Sequence, residues 1–165
     1  MMQRRFFLVG LTAAVSVAGC GFELRREPEM LFHTLALTGF LPNSPMAAEL
    51  KRQLGRTTVS LQPDANKAEI VLEALRDSRD KTVVVSTSAG QVREWQLRLR
   101  LDYLLRTPGG EILLPRTELV MTREMNYTES QALAKEQEEA ALYRSMQSDA
   151  IAQVMRRLAA VKLPN

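Results

Sequence analysis

Among its 165 residues the chain has one cysteine, one histidine and one tryptophan, and aromatic side chains make up only 5% of it. A single cysteine, Cys20, excludes any disulfide within the chain. A zinc site needs about four protein ligands or three plus water, so Cys20 and His33 exclude a His/Cys centre by count. A Ser-His-Asp apparatus would have to use His33, which lies in an alternating apolar segment, and no Gly-x-Ser-x-Gly nucleophile elbow occurs. No catalytic residue is assigned, and no cofactor is expected beyond lipid carried on Cys20. Beyond the N-terminal segment, no apolar run approaches the ~20 residues that a membrane-crossing helix requires.

Net charge is also small. The chain holds 22 basic and 19 acidic side chains, and two of the basic ones, Arg4 and Arg5, stand at the N-terminus. Without them the balance is 20 to 19, so the high isoelectric point is no argument for a nucleic-acid partner.

The N-terminus has a sharp organisation. Met1-Met2-Gln3-Arg4-Arg5 is basic and free of acids, and Phe6 to Ala18 carries no charge. This is the layout of an export signal over residues 1–19. It ends in Val17-Ala18-Gly19-Cys20, which resembles a lipobox: one apolar residue, two small ones, then Cys. The Cys20 thiolate can take a diacylglyceryl group, and the small residues admit the signal peptidase. A triacylated Cys20 then begins the mature chain and anchors it, since one acyl chain alone binds only marginally. Arg4-Arg5-Phe6-Phe7-Leu8 reads either as a twin-arginine export motif or as an ordinary basic n-region, the simpler alternative. Gly21 follows Cys20, and the absence of Asp there favours the outer membrane of a Gram-negative envelope. Residues 20–29 form a lipidated tether, and 30–165 one modest domain.

Within that domain the periodicities alternate. Residues 31–38 read as a short strand. Ser44-Pro45 is a helix start, with Ser as N-cap and Pro in the first turn. Met46, Leu50 and Leu54 recur every four residues, and Gly55 stops the helix. Residues 57–61 form a further short extended piece. Residues 68–85 are extended around the polar middle Arg76-Asp77-Ser78-Arg79-Asp80, and Ala89-Gly90 marks a turn. Trp95, Leu97, Leu99, Leu101, Tyr103 and Leu105 alternate with polar partners, the period of a strand with one buried face. Pro108-Gly109-Gly110 is a hairpin turn. The return strand carries Leu119, Met121, Met125 and Tyr127 on one face, and Pro115 predicts a bulge or an edge position. Thr128 to Gln131 fits a capping box. The long helix that follows, to about Val161, bears the stripe Leu142, Met146, Ala150, Val154 and Leu158, widened by Ile151 and Met155.

The order β-α-β-β-β-α predicts an α+β two-layer sandwich, two helices packed on one four-stranded, mostly antiparallel mixed sheet. The meander strands exceed the usual ~5–6 residues, so their tips can project as a contact surface.

Arg93, Arg98, Arg100, Arg106, Arg116 and Arg123 lie on the meander and Lys135 opens the last helix. Two readings stand. Glu94, Asp102, Glu118 and Glu124 can balance these cations on a solvated face, which composition favours. Alternatively, cations beside apolar strand tips suit an anionic amphiphile. The cluster Glu136, Glu138 and Glu139 reads as a solvated helix face near a helix N-terminus, where carboxylates suit the dipole.

Four segments carry a resemblance to a known family. Cys20-Gly21-Phe22-Glu23-Leu24-Arg25 is similar to the mature start of the LptE family of lipopolysaccharide-assembly lipoproteins. Gly90-Gln91-Val92-Arg93-Glu94-Trp95-Gln96-Leu97 resembles its Gly-x-x-x-Glu-aromatic-x-Leu stretch. Leu133-Ala134-Lys135 looks like the motif opening its last helix. Met146-Gln147-Ser148-Asp149-Ala150 through Leu158 fits its ending. The resemblance implies an outer-membrane lipoprotein that is not an enzyme, partners and plugs the β-barrel LptD, assists its assembly, and binds lipopolysaccharide. It implies Lys135 as the first lipopolysaccharide contact and the loop before Gly90 as the second. The family pattern allows a basic residue two positions before that Gly; here Ser88 stands there, and Arg93 is the nearby cation to replace it. The alternative is a lipoprotein chaperone or pilotin for another outer-membrane machine.

Overall fold

The structure, a computed structural model, describes residues 29–163. The signal peptide, the Cys20 lipid site and nearly all of the tether lie outside the described residues.

β1 (Thr34–Thr38) enters the sheet first and leaves it at Gly39. Gly39 has φ +78°, and a Cβ there would sit 2.1 Å from the carbonyl oxygen of Ala74, so only glycine fits. The chain then turns into α1 (Pro45–Leu54). Ser44 caps it as the sequence requires: its hydroxyl accepts from the Ala47 amide at 3.0 Å. Met46, Leu50 and Leu54 are all buried against the sheet.

β2 (Ser60–Leu61) corrects the expected strand count. It pairs parallel with β1, Thr34 opposite Ser60 and Leu35 opposite Leu61. The sheet therefore has five strands, in the order β2-β1-β3-β4-β5. Two residues are too few to show a period, so residues 57–61 look extended in sequence without declaring a partner. β3 (Ile70–Ser86), β4 (Val92–Arg106) and β5 (Ile112–Asn126) make the antiparallel meander, and β1 pairs parallel with the first residues of β3.

The expected alternation holds along β4. Leu97, Leu99, Leu101, Tyr103 and Leu105 are buried; Trp95 at its distal end is half-buried. Pro115 lies on the edge strand and at an irregularity, where the β4 pairing slips between Tyr103 opposite Thr117 and Leu105 opposite Leu114. Three further slips bend the β3–β4 ribbon.

The expected capping box does not form. Thr128 makes no side-chain cap bond, and the chain first takes a single 3-10 turn, Glu129–Gln131. The Gln131 amide donates to the Thr128 carbonyl at 3.1 Å, so the backbone supplies what the hydroxyl was expected to supply. α2 (Ala132–Ala160) begins only then. Its buried residues are Tyr143, Met146, Gln147, Ala150, Ile151, Val154, Met155 and Leu158. The predicted stripe is there, except that Leu142 is half-buried.

Both helices cover one sheet face. A small second cluster, Ala36, Ala68 and Val71, lies under the 3-10 turn Ala65–Lys67. No helix among the described residues is long and apolar enough to cross a membrane.

Candidate functional site

The core occupies the end of the molecule that holds β1, β2 and α1. The opposite, distal end is built by the β3–β4 hairpin, the end of β5 and the start of α2. It carries the three residues predicted as lipopolysaccharide contacts, Lys135, Arg93 and Ser88.

Lys135 lies in the first turn of α2. Its Nζ donates to Glu138 Oε2 at 2.8 Å, one helical turn on, and its side chain is 17% exposed. It is therefore held against its own helix rather than extended into solvent. Arg93 is exposed on β4. It lines a crevice of about 180 Å³ with Gln91, Val92, Thr128, Glu129 and Ser130. Its carbonyl accepts from the Tyr127 amide at 2.8 Å, which ties the base of the hairpin to the turn before α2. Ser88 is exposed in the hairpin, whose turn closes through the Gly90 amide to the Thr87 carbonyl at 2.9 Å. Gly90, at φ +79°, supplies the left-handed residue of that turn. Arg93 and Lys135 thus stand on elements joined at one end, whereas Ser88 lies in the turn of the hairpin.

The balanced-face reading holds for most of the strand cations. Arg100 donates to Asp102 at 3.1 Å and pairs with Glu118 at 2.8 Å. Arg116 reaches Asp102 at 2.6 Å, Arg106 pairs with Glu73 at 2.8 Å, and Arg123 approaches Asp149 at 3.5 Å. Among the described residues Arg93 and Arg98 have no ion pair. Asp102 is the surprise of this face. It was expected to be solvated, yet it is fully buried. Burial acts to raise its pKa; the hydrogen bonds from Arg100 and Arg116, with their charges, overcome this and hold the carboxyl below its ordinary value.

On the helix-covered face a second set of charges converges. Arg79 and Lys81 of β3 face Glu136, Glu139, Ala140, Tyr143 and Arg144 of α2 across a groove of about 580 Å³. Arg79 donates to Gln147 Oε1, and its guanidinium carbon lies 5.2 Å from the centre of the Tyr143 ring. Lys81 pairs with Glu139 at 2.5 Å, and its Nζ lies 4.5 Å from the centre of the Trp95 indole. Tyr143 donates to the Asp80 carbonyl at 2.8 Å and pins the helix to the strand. Gln147 also donates to the Pro45 carbonyl at 2.8 Å, so one buried amide joins β3, α1 and α2. Sequence reasoning placed Arg79 in a polar middle; its partners Tyr143 and Gln147 are more than 60 residues away along the chain, beyond any local period.

His33 is a surface residue. Its side chain is 85% exposed, with Nδ1 3.7 Å from Glu69 Oε1. The Glu69 carboxylate accepts from the His33 and Thr34 amides, bonds that outweigh its partial desolvation and lower its pKa. No cluster of metal-ligating side chains occurs among the described residues.

The described residues thus form a two-layer α+β domain, with both helices on one face of a five-stranded mixed sheet and Arg93 and Lys135 at the end away from β1, β2 and α1. The chain belongs to the LptE family, described as Lipopolysaccharide-assembly, which it matches over residues 32–158. It is 29% identical over 161 residues to the LPS-assembly lipoprotein LptE of Pectobacterium atrosepticum, covering 96% of this chain and 86% of that one. It is 30% identical to the protein of that name from Yersinia enterocolitica, over 97% of this chain and 78% of that one. Among solved structures, lipoprotein B from Nitrosomonas europaea superposes with a TM-score of 0.72 at 29% identity, covering 85% of this chain and 91% of that one. A minor lipoprotein from Acinetobacter baumannii, at 21% identity and a TM-score of 0.65 over 82% of this chain and 98% of that one, shares the fold.

Proposed function

We propose that this chain is a lipid-anchored outer-membrane lipoprotein of a Gram-negative bacterium. In this reading it partners and plugs an LptD-like β-barrel, assists its assembly, and binds lipopolysaccharide during transport to the outer leaflet. The observation that carries the reading is the family match over residues 32–158, on a domain that places Lys135 and Arg93 at the end away from β1, β2 and α1. The role needs no catalytic group: binding and positioning suffice.

Lys135 is the first lipid contact in this reading. Glu138 already holds its ammonium group at 2.8 Å, so a phosphate must replace one carboxylate. A phosphate dianion offers more charge and more acceptor oxygens than a carboxylate, which favours the exchange. Arg93 stands beside the turn that leads into the same helix and supplies a planar fork without an ion-pair partner among the described residues. Ser88 offers one hydroxyl at the hairpin and no charge, so its share is small. Acyl groups on Cys20 hold the domain at the membrane.

The test is an affinity pull-down from detergent-solubilised outer membrane, using the tagged, lipidated chain, with mass identification of what is recovered. One large β-barrel recovered together with lipopolysaccharide is the expected result. A different envelope machine in its place sinks the proposal and favours a chaperone or pilotin. In a paired lipid-binding assay Lys135→Asp loses about tenfold in affinity, with the loss shrinking as salt rises.

A further inference from the structure

The groove between β3 and α2 is separate from Lys135, Arg93 and Ser88. Three cations converge on it, Arg79, Lys81 and Arg144, against two carboxylates, Glu136 and Glu139. Glu139 is already engaged by Lys81 at 2.5 Å. Arg79 is held by a neutral amide and an aromatic face, Gln147 and Tyr143. Arg144 is exposed. Neither arginine is in an ion pair among the described residues, so two guanidinium groups border the groove without a carboxylate partner.

Both banks become apolar toward the distal tip. On the strand bank Val83 follows Lys81 by two residues, on the same sheet face and about 7 Å along. Val83 is 42% exposed; beyond it the register slips, and Val85 pairs with Glu94 on the opposite sheet face. On the helix bank Leu133 precedes Glu136 and Ala140 by three and seven residues, the spacing of one helix face. It is 71% exposed, an unusual place for leucine. A cationic section that runs into two apolar banks has the polarity of an amphiphile with an anionic head.

We propose that this groove is a second lipid subsite, which takes a phosphate group of an acylated glycolipid between Arg79 and Arg144 and lays acyl chain against Val83 and Leu133. The proposal rests on the lipopolysaccharide-binding reading above and adds a place for a second phosphate. The guanidinium forks match phosphate oxygens two by two. Tyr143 and Gln147 hold Arg79 in place beforehand, which limits the side-chain entropy lost on binding.

The test uses the lipidated full chain in neutral detergent with three probes: bisphosphorylated lipid A, the same lipid with both phosphates removed, and glucosamine 1-phosphate without acyl chains. Wild type binds the first most tightly. Arg144→Gln weakens that binding by about tenfold at unchanged Tm, as loss of one charge-assisted contact at an exposed position does. Glu136→Gln strengthens it by about threefold, because it removes a like charge from the groove. A gain of affinity cannot arise from misfolding. Neither variant alters binding of the dephosphorylated lipid. Unchanged affinity in both variants, while Lys135→Asp still loses binding, overturns the groove and leaves the functional proposal standing. A wild type that binds none of the probes overturns both. Equally tight binding of glucosamine 1-phosphate, lost in Arg144→Gln, makes the groove a site for soluble phosphates and overturns its assignment to a lipid.

Discussion

Helix α2 is buried at eight positions from Tyr143 onward and at none over residues 132–142. Strand β3 divides in the same way: Ile70, Val71, Leu72 and Ala74 are buried, and no residue beyond Ala74 is. Each element thus has one half that holds the fold together and one that does not. The reason is what lies on top. α1 and the later part of α2 cover the near end of the sheet, and only the opening turns of α2 reach the far end. Secondary structure persists at the far end because β3, β4 and β5 pair along their length, but little apolar area leaves water there. Burial is therefore concentrated in one half of β3 and one half of α2.

Substitutions can break or sharpen that contrast. Gly39→Ala should have the largest effect, a loss of more than about 3 kcal/mol in urea denaturation, since the new Cβ meets the Ala74 carbonyl at a positive φ. If Gly39→Ala is tolerated, the exit of β1 is not the tight crossing described. Leu101→Ala, at a fully buried position under the helices, should cost about 3 kcal/mol in the same measurement.

Asp102→Asn should cost about 2 kcal/mol, as it removes the carboxylate shared by Arg100 and Arg116. The pH dependence has a definite sign. The folded-state pKa of Asp102 is lowered, so its contribution is fully present above the unfolded value of about 3.9 and is lost as pH falls through the folded value. Glu49 and Glu69 are lowered too, Glu49 by its Arg52 partner and Glu69 by the His33 amide, and add to the same acid window. Wild type should hold its midpoint from neutral pH to about pH 5 and lose it below, and Asp102→Asn should lose less over that range. A parallel loss in both would assign the acid sensitivity to other carboxylates.

Ser44→Ala removes the N-cap of α1 and should cost about 1 kcal/mol. Val84→Ala, at the distal tip, should change stability by less than about 0.5 kcal/mol. A large effect there would mean that the tip packs against something within the domain, and the contrast between the two halves would fail.

Local signals were legible wherever one element carried them. The period-two run of β4, the four-residue spacing of α1, the Ser44 cap, the glycine turns and the stripe of α2 each depend on residues close in sequence. The fifth strand was not legible, because two residues show no period and β2 exists only through its pairing with β1. The capping box was misread for a related reason: the same Thr128 and Gln131 can serve a 3-10 turn, closed by the Gln131 amide on the Thr128 carbonyl. Lys135 was singled out by the family resemblance, and Arg93 as the cation near Ser88, where the family pattern allows a basic residue; no spacing in the sequence joins them.

The amino-acid order by itself determined the layers, the direction of the meander and which face of each element is apolar, since those follow from backbone periodicity and side-chain hydrophobicity. Only the tertiary structure decided which charges are compensated. It buried Asp102 between Arg100 and Arg116, set Gln147 between β3 and α1, and brought Arg79 to face Arg144 across a groove. Electrostatic partners are fixed by distance in space, and between strand and helix that distance is set by packing.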